Sequence, residues 1–164
     1  EKIIELGVKA FRSNKKMLFC GNGGSASDAQ HIAAELSGRF YVNRPPLYAE
    51  ALHVNSSYVT AVANDYGYEE VYARMLTAAG RQGDILVGIS TSGNSANVLK
   101  AFVKAKELGL ITIGFTGNSI GRMNDICDVV INVPSDNTAR IQEAHILIGH
   151  IMCQFIEQEM FPNV

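Results

Sequence analysis

Much of what would send a chain to a membrane, a nucleic acid or an oxidising compartment is missing from this sequence. Its three cysteines, Cys20, Cys127 and Cys153, are odd in number and sit in apolar stretches. They build no disulfide framework and read as buried thiols in a reducing compartment. No apolar run approaches the ~20 residues that span a bilayer, and no leader pattern is visible. The chain starts at Glu1 rather than Met, so that absence speaks only for the residues given. A net charge of −2 leaves no basic face for nucleic acid or an anionic membrane, and any anion site must therefore be local. Two phosphate signatures are also lacking. The Gly-Lys-Ser/Thr of a P-loop does not occur, and Gly21-Asn22-Gly23-Gly24-Ser25 meets Ala26 where a dinucleotide fingerprint needs its third glycine. The run 49–54 ends in Asn55, with no acidic residue to hold a ribose. Nicotinamide chemistry is thereby disfavoured.

What is present is an ordinary globular composition, 47% hydrophobic and 18% charged over 164 residues, enough for one domain with a substantial core. There is no repeat, low-complexity tract or domain-scale linker. Short β-rich runs at 16–20, 49–54, 84–89, 110–115 and 128–133 alternate with helical patterns. These lie at 2–13, 25–37 (capped by Ser25), 56–63, 68–79, 96–108 and 138–158. Such alternation predicts an α/β fold, a three-layer αβα sandwich around a five-stranded parallel sheet. The expected strand order is 2-1-3-4-5, the flavodoxin-like doubly wound arrangement, whose ligands lie beyond the carboxyl ends of the strands.

Two Gly/Ser-rich turns carry the functional signal. Each follows an apolar strand and opens a helix: Cys20-Gly21-Asn22-Gly23-Gly24-Ser25, and Ser90-Thr91-Ser92-Gly93-Asn94-Ser95. A strand turning through small residues into a helix leaves backbone N–H groups unpaired at the positive end of the helix dipole, a ready phosphate site. Ser90, Ser92 and Ser95 add hydroxyl donors. Two such loops suit a polyhydroxylated, phosphorylated ligand held at both ends.

His31 and Glu35 follow the first loop at i, i+4 and share a helix face. They could ligate one zinc or share a proton-transfer task. The same pair also reads as an ordinary surface contact, and its place after the loop is what makes it a candidate. The last helix carries Gln142, Glu143, His145 and His150. Gln142 and His150 lie ~80° apart around the axis and ~12 Å along it. Ligation of one ion by both requires inward-leaning side chains or a neighbouring subunit. His145 reads as a satisfied helix histidine, whereas His150, beside Gly149 in an apolar stretch, calls for a partnered role. Asn64-Asp65 before Gly67 is either a helix-ending turn or a pair of groups for sugar hydroxyls. Arg39 after Gly38 suits a phosphate or a neighbouring carboxylate, and His53 a structural contact.

Five segments together resemble the sugar isomerase (SIS) family, and within it the phosphoheptose isomerases: Cys20–Ser25, Asp28–Arg39, Asn64–Tyr68, Gly88–Asn97 and Ala139–His150. They occur in family order over nearly the whole chain. The resemblance implies a single SIS domain over residues 1–164, with most of the family's extra N-terminal helix falling outside the chain. It implies an aldose–ketose isomerase that interconverts sedoheptulose 7-phosphate and D-glycero-D-manno-heptose 7-phosphate through an enediol. Asn22, Gly23, Gly24 and Ser25 would line the sugar site. Ser90, Thr91, Ser92 and Ser95 would hold the phosphate, and Arg39, Asn64, Asp65, Glu35 and Gln142 would orient the substrate. His31, Glu35, Gln142 and His150 match the zinc-associated positions, one zinc per subunit, and Glu35 and His150 the acid/base pair, with either able to move the carbon-bound proton. Ala139 departs from the pattern, since some members carry Asp there. The resemblance further implies a bacterial cytoplasmic homotetramer with active sites at subunit interfaces, and a product used for lipopolysaccharide or capsule. The alternative is a non-catalytic SIS protein that senses sugar phosphates or binds the replication initiator. Such a relative is expected to keep the loops and lack the glutamate and final histidine.

Overall fold

The computed structural model describes residues 1–119 and 121–164. Among them, helices and strands alternate as α1 (Lys2–Arg12), β1 (Met17–Gly21), α2 (Gly24–Ser37), β2 (Ala49–Ala51), α3 (Ser56–Tyr66), α4 (Val71–Ala79), β3 (Ile85–Ile89), α5 (Ala96–Glu107), β4 (Ile111–Thr116), α6 (Met123–Ile126), β5 (Val129–Asn132) and α7 (Thr138–Met160). A 3-10 turn, Tyr68–Glu70, leads into α4. The five strands form one all-parallel sheet in the order β2-β1-β3-β4-β5, as the alternation predicts.

The strand sequences explain the layers. Every residue of β1 and β3 is buried, as parallel strands covered on both faces must be. Met17, Phe19, Val87 and Ile89 point to one side and pack with Ile32 and Leu36 of α2 and Met152 and Ile156 of α7. Leu18, Cys20 and Leu86 point to the other and pack with Leu76 of α4 and Val98 and Phe102 of α5. Two apolar cores thus sandwich the sheet. The chain leaves β1 toward one edge and returns through β3 on the other side of β1, so the switch in strand order lies between their carboxyl ends, where both Gly/Ser loops emerge.

Several boundaries differ from the sequence expectation. Gly23, not Ser25, occupies the N-cap of α2, and Ser25 is a buried residue of its first turn. β2 stops at Ala51, since it is an edge strand with a partner on one side only. Helix α3 continues to Tyr66, and the four-residue α6 is too short for periodicity to reveal. All three cysteines are free. Cys20 and Cys153 are buried as expected, whereas Cys127 is half-buried at the edge of the core; burial pushes the Cys127 and Cys153 thiols up to about 12 and raises Cys20 as well, which fits unreactive thiols.

The packing of α2 on α7 positions the candidate histidines. These helices lie side by side and run the same way, with Gly24 against Gln142 and Ile32 against Gly149. A Cβ at Gly149 would stand 2.4 Å from Ile32 Cδ1 and 2.6 Å from its Cγ1. Gly149→Ala gains helix propensity of ~1 kcal/mol but overpacks a closed contact at a cost of ~1–3 kcal/mol. The variant is expected to unfold at lower urea concentration than the parent; an equal or higher midpoint would show that the helices are not in close contact there.

Candidate active site

The first loop turns at Gly23, whose φ of 55° and ψ of −121° are conformations that side-chain-bearing residues avoid. Neither α2 nor α5, the helices that begin at the cleft, has a side-chain cap, whereas Asn55 and Asn137 cap α3 and α7. In α2 the Ser25 and Ala26 amides already bond to the Asn22 and Gly23 carbonyls, and in α5 the Val98 amide bonds to Asn97 Oδ1, so what each helix start offers a ligand is the rest of its first-turn amides and the positive dipole end. In the second loop Ser90 Oγ lies 2.9 Å from Ser95 Oγ and 3.4 Å from Ser92 Oγ, so three hydroxyls share one spot. Thr91 and Ser92 line a cavity of about 270 Å³ with Asn94, Ser119, Asp136 and Thr138. A larger cavity, about 570 Å³, lies between α1 and the end of α7, away from both loops.

The two loops are tied together. Asn22 Nδ2 donates to Asn97 Oδ1 at 2.9 Å, and Asn97 Nδ2 donates back to Asn22 Oδ1 at 2.8 Å. The Tyr68 hydroxyl donates to the same Asn22 oxygen at 3.0 Å, and Val98 N donates to Asn97 Oδ1 at 3.0 Å. Neither Asn97 nor Tyr68 stands out in the sequence as a site residue. The pattern that could have found Asn97 is a polar residue on the buried face of a helix that otherwise reads as apolar.

The second constellation is built by the α2–α7 pair. His31 Nε2 lies 3.0 Å from His150 Nε2 and 3.2 Å from Glu35 Oε1. Ligand atoms of all three residues fall within 4.8 Å of one another. For an ion with ~2.05 Å ligand bonds, tetrahedral donors sit ~3.3 Å apart, so the three residues fit a divalent metal. His31 and Glu35 come from successive turns of α2, and His150 reaches them from 119 residues away. The Phe40 ring stands 5.7 Å from that of His150 and covers one side of the cluster. Asp28, one turn before His31, has its carboxyl raised by burial, with His31 opposing the shift.

The other sequence candidates lie outside this triplet. Gln142 stands apart from it on α7, its carboxamide against the Gly24 backbone, where a Cβ would stand 2.4 Å from Nε2. Arg39 is exposed and makes no ion pair among the described residues. Asn64 and Asp65 are exposed near the end of α3, with Asn64 Nδ2 donating to Asp65 Oδ1 at 2.8 Å. His145 is fully buried with Nε2 3.2 Å from the Thr116 carbonyl, and burial lowers its pKa against that hydrogen bond. It is a neutral core residue. His53 is lowered mainly by burial and meets the Tyr72 ring edge-on, which is a structural contact.

Within one chain the two constellations are offset. Helix α2 starts at the cleft and runs back along the sheet, so His31 lies ~10 Å and Glu35 ~16 Å from Gly24 along its axis.

Comparison with known proteins agrees with this geometry. The SIS domain family profile matches residues 1–117. The phosphoheptose isomerase of Clostridium acetobutylicum is 51% identical over 161 residues, 98% of this chain and 82% of that protein. The solved phosphoheptose isomerase of Neisseria gonorrhoeae superposes with a TM-score of 0.89 at 47% identity, covering 94% of this chain and 83% of that one. That of Francisella tularensis also gives 0.89, at 40% identity, covering 96% and 86%. The chain belongs to the SIS domain family, among the phosphoheptose isomerases.

Asn97→Ala removes both bonds that join the loops and leaves the Asn22 amide short of partners, at ~1–3 kcal/mol for an unsatisfied group. Urea unfolding is expected to show that loss, and steady-state kinetics a KM that rises more than kcat falls. An unchanged KM would mean that the bridge does not shape the binding loops.

Proposed function

We infer that this protein is an aldose–ketose isomerase that interconverts sedoheptulose 7-phosphate and D-glycero-D-manno-heptose 7-phosphate. The carrying observation is the meeting of His31, Glu35 and His150 in a chain about half identical to named phosphoheptose isomerases along nearly its whole length. The presence of both Glu35 and His150 speaks against a non-catalytic binding role.

The second loop takes the phosphate. Ser90, Thr91, Ser92 and Ser95 supply hydroxyls, and the start of α5 supplies N–H groups at a positive dipole end. Asn22, Gly23, Gly24 and Ser25 line the sugar chain. Arg39, Asn64 and Asp65, all exposed, are its further contacts. Gln142, against Gly24, is a substrate contact and the fourth donor for the metal of a neighbouring chain. His31, Glu35 and His150 hold one zinc per subunit. When bound, zinc supplies a Lewis acid for the negative charge that develops on the sugar oxygens.

The chain's own residues move the protons. In the ketose-to-aldose direction a carboxylate takes a proton from C1, the electron pair forms the C1–C2 double bond of the enediol, and the proton returns to C2. The carbonyl oxygen on C2 gains a proton and the hydroxyl on C1 loses one. Glu35 is assigned the carbon-bound proton and His150 the oxygen side.

The offset between the loops and the cluster bears on assembly. Leu147, Ile151 and Phe155 form an exposed apolar stripe at four-residue spacing on α7, flanking His150. A second copy covering that stripe would bring its binding loops toward this cluster. This supports a homotetramer with active sites at subunit interfaces, built from single SIS domains spanning residues 1–164. No helix among the described residues is long and apolar enough to cross a membrane. A bacterial cytoplasmic location, with the product feeding lipopolysaccharide or capsule, is the corresponding proposal.

The experiment is an NMR assay of sedoheptulose 7-phosphate conversion. Chelator-treated protein is expected to lose turnover and regain it with zinc. Glu35→Gln and His150→Ala are each expected to lower kcat by ~10²–10⁴, the worth of a positioned acid or base; losses below about tenfold for both would remove the assignment. A refolded mixture of Glu35→Gln and Ser92→Ala chains is expected to recover activity that neither has alone. No recovery would confine each site to one chain.

A further inference from the structure

We propose that the buried Arg44–Glu157 ion pair is the positioning device of the His31/Glu35/His150 cluster, holding from behind both the helix end that carries Glu35 and the strap that carries Phe40. The proposal rests on reading that cluster as the reacting centre.

The pair lies beyond the last turn of α2. The side chains of Arg44 and Glu157 are 0% and 3% exposed, and Arg44 Nε donates to Glu157 Oε2 at 2.8 Å. The rest of the guanidinium goes to main chain. Its Nη2 donates to the Glu35 carbonyl at 2.9 Å. Its Nη1 lies 2.8 Å from the Leu36 carbonyl, 3.2 Å from that of Gly38 and 3.1 Å from that of Pro45. Carbonyls of a final helical turn lack helical partners, and a cation there opposes the negative dipole end. One planar group thus terminates α2 and fixes the backbone of Glu35 itself. A lysine, with a single nitrogen, cannot reach so many acceptors in one plane.

Glu157 acts on the other side. Its carboxylate accepts from three successive amides, Phe40 N at 3.0 Å, Tyr41 N at 2.8 Å and Val42 N at 3.2 Å. Burial alone would raise this carboxyl. The Tyr41 and Phe40 amides and the Arg44 guanidinium outweigh it and hold the group below the usual range, so it stays ionised. The strap 40–42 is thereby fixed to α7 two turns beyond His150, with the Phe40 ring 5.7 Å from the His150 ring. Glu35 and His150 come from different helices, and these hydrogen bonds hold the end of one helix to the other. Stability alone does not account for the device, because buried ion pairs are often matched or exceeded by apolar residues of similar volume.

The test compares Arg44→Lys and Glu157→Gln with Asp84→Asn. Asp84 is an equally buried carboxylate at the same end of the sheet, just before β3; it is bonded to Lys16 Nζ at 2.6 Å and to the Arg81 amide at 2.8 Å, and among the described residues its carboxylate makes no hydrogen bond to α2, the 40–42 strap or α7. Zinc affinity is measured by chelator competition, and the His31 and His150 imidazoles are followed by ¹H–¹⁵N NMR in metal-free protein. Arg44→Lys and Glu157→Gln are expected to weaken zinc binding ~10–100-fold, as loss of outer support for metal ligands does. They are also expected to shift both imidazole signals and to lower kcat with KM unchanged. Asp84→Asn is expected to lower Tm comparably while leaving zinc affinity and the imidazole signals at parent values. The proposal is overturned if Glu157→Gln keeps parental zinc affinity and imidazole signals, or if Asp84→Asn alters them as much. Glu157→Gln keeps the shape of the side chain and decides the matter should Arg44→Lys not fold. A parent that binds no zinc would sink the metal reading instead, and the metal-free imidazole signals would still judge the positioning role.

Discussion

The close parallel contact of α2 with α7 is the constraint on which the chemistry depends. His31 and His150 approach to 3.0 Å only because the backbones approach first, and they do so because Gly149 leaves room for the Ile32 side chain. Helix axes usually lie 8–10 Å apart, with the side chains at the contact setting the distance. A residue without Cβ beside His150 therefore determines how far its imidazole must reach. The same pairing seats Gln142 on Gly24 two turns earlier. One helix contact thus serves the lining of the sugar loop at one end and the metal-competent cluster at the other.

The sheet supplies the second condition. With β1 and β3 adjacent and parallel, the loops that follow them open at one edge, and the Asn22–Asn97 pair locks them together. Both helices beginning there lack side-chain caps. Two other helices, α3 and α7, have an asparagine, Asn55 and Asn137, on their exposed N–H groups, while α1, α4 and α6 have no side-chain cap. At α2 and α5 the missing cap costs local stability of ~1 kcal/mol each and is sensible where a ligand oxygen takes its place beside the amides already bonded within each first turn. The Ser90–Ser95 hydroxyl pair fits the same view, since Ser95 stands at the N-cap of α5 yet turns its oxygen toward Ser90.

Legibility from sequence tracks the range of the interaction. β1 and β3 are readable because a strand buried on both faces is a continuous apolar run. Both loops are readable because their small residues are local. The His31–Glu35 pairing is readable as an i, i+4 relation and is present at 3.2 Å. The start of α2 is easily misplaced because serine is the commoner cap, and a glycine in an unusual conformation leaves no propensity signal. The meeting of His150 with His31 is beyond any local pattern, since helix pairing over such a separation is decided by tertiary packing. Asn97 and the Arg44–Glu157 pair are hidden for the same reason. Each is a polar side chain that the fold buries, and only its distant partner shows why burial is tolerated.

A rigid helix between the binding end and the reacting end has a consequence for how the molecule works. The ~10–16 Å between Gly24 and the His31/Glu35 turns is fixed by backbone hydrogen bonds, so no side-chain rotation within one chain closes it. On the proposed reading, a sugar phosphate is gripped by loops of one subunit and worked on by groups of another. Phosphate recognition then belongs to the single chain, and catalysis to the assembly. The apolar stripe beside His150 becomes part of the catalytic apparatus, since whatever covers it sets the distance between substrate and base. In an aldose–ketose exchange that distance matters more than affinity, because proton transfer needs donor and acceptor within hydrogen-bond reach. Selection for turnover would therefore act on the subunit contact and on the Arg44–Glu157 support behind it, as much as on the acid and base themselves.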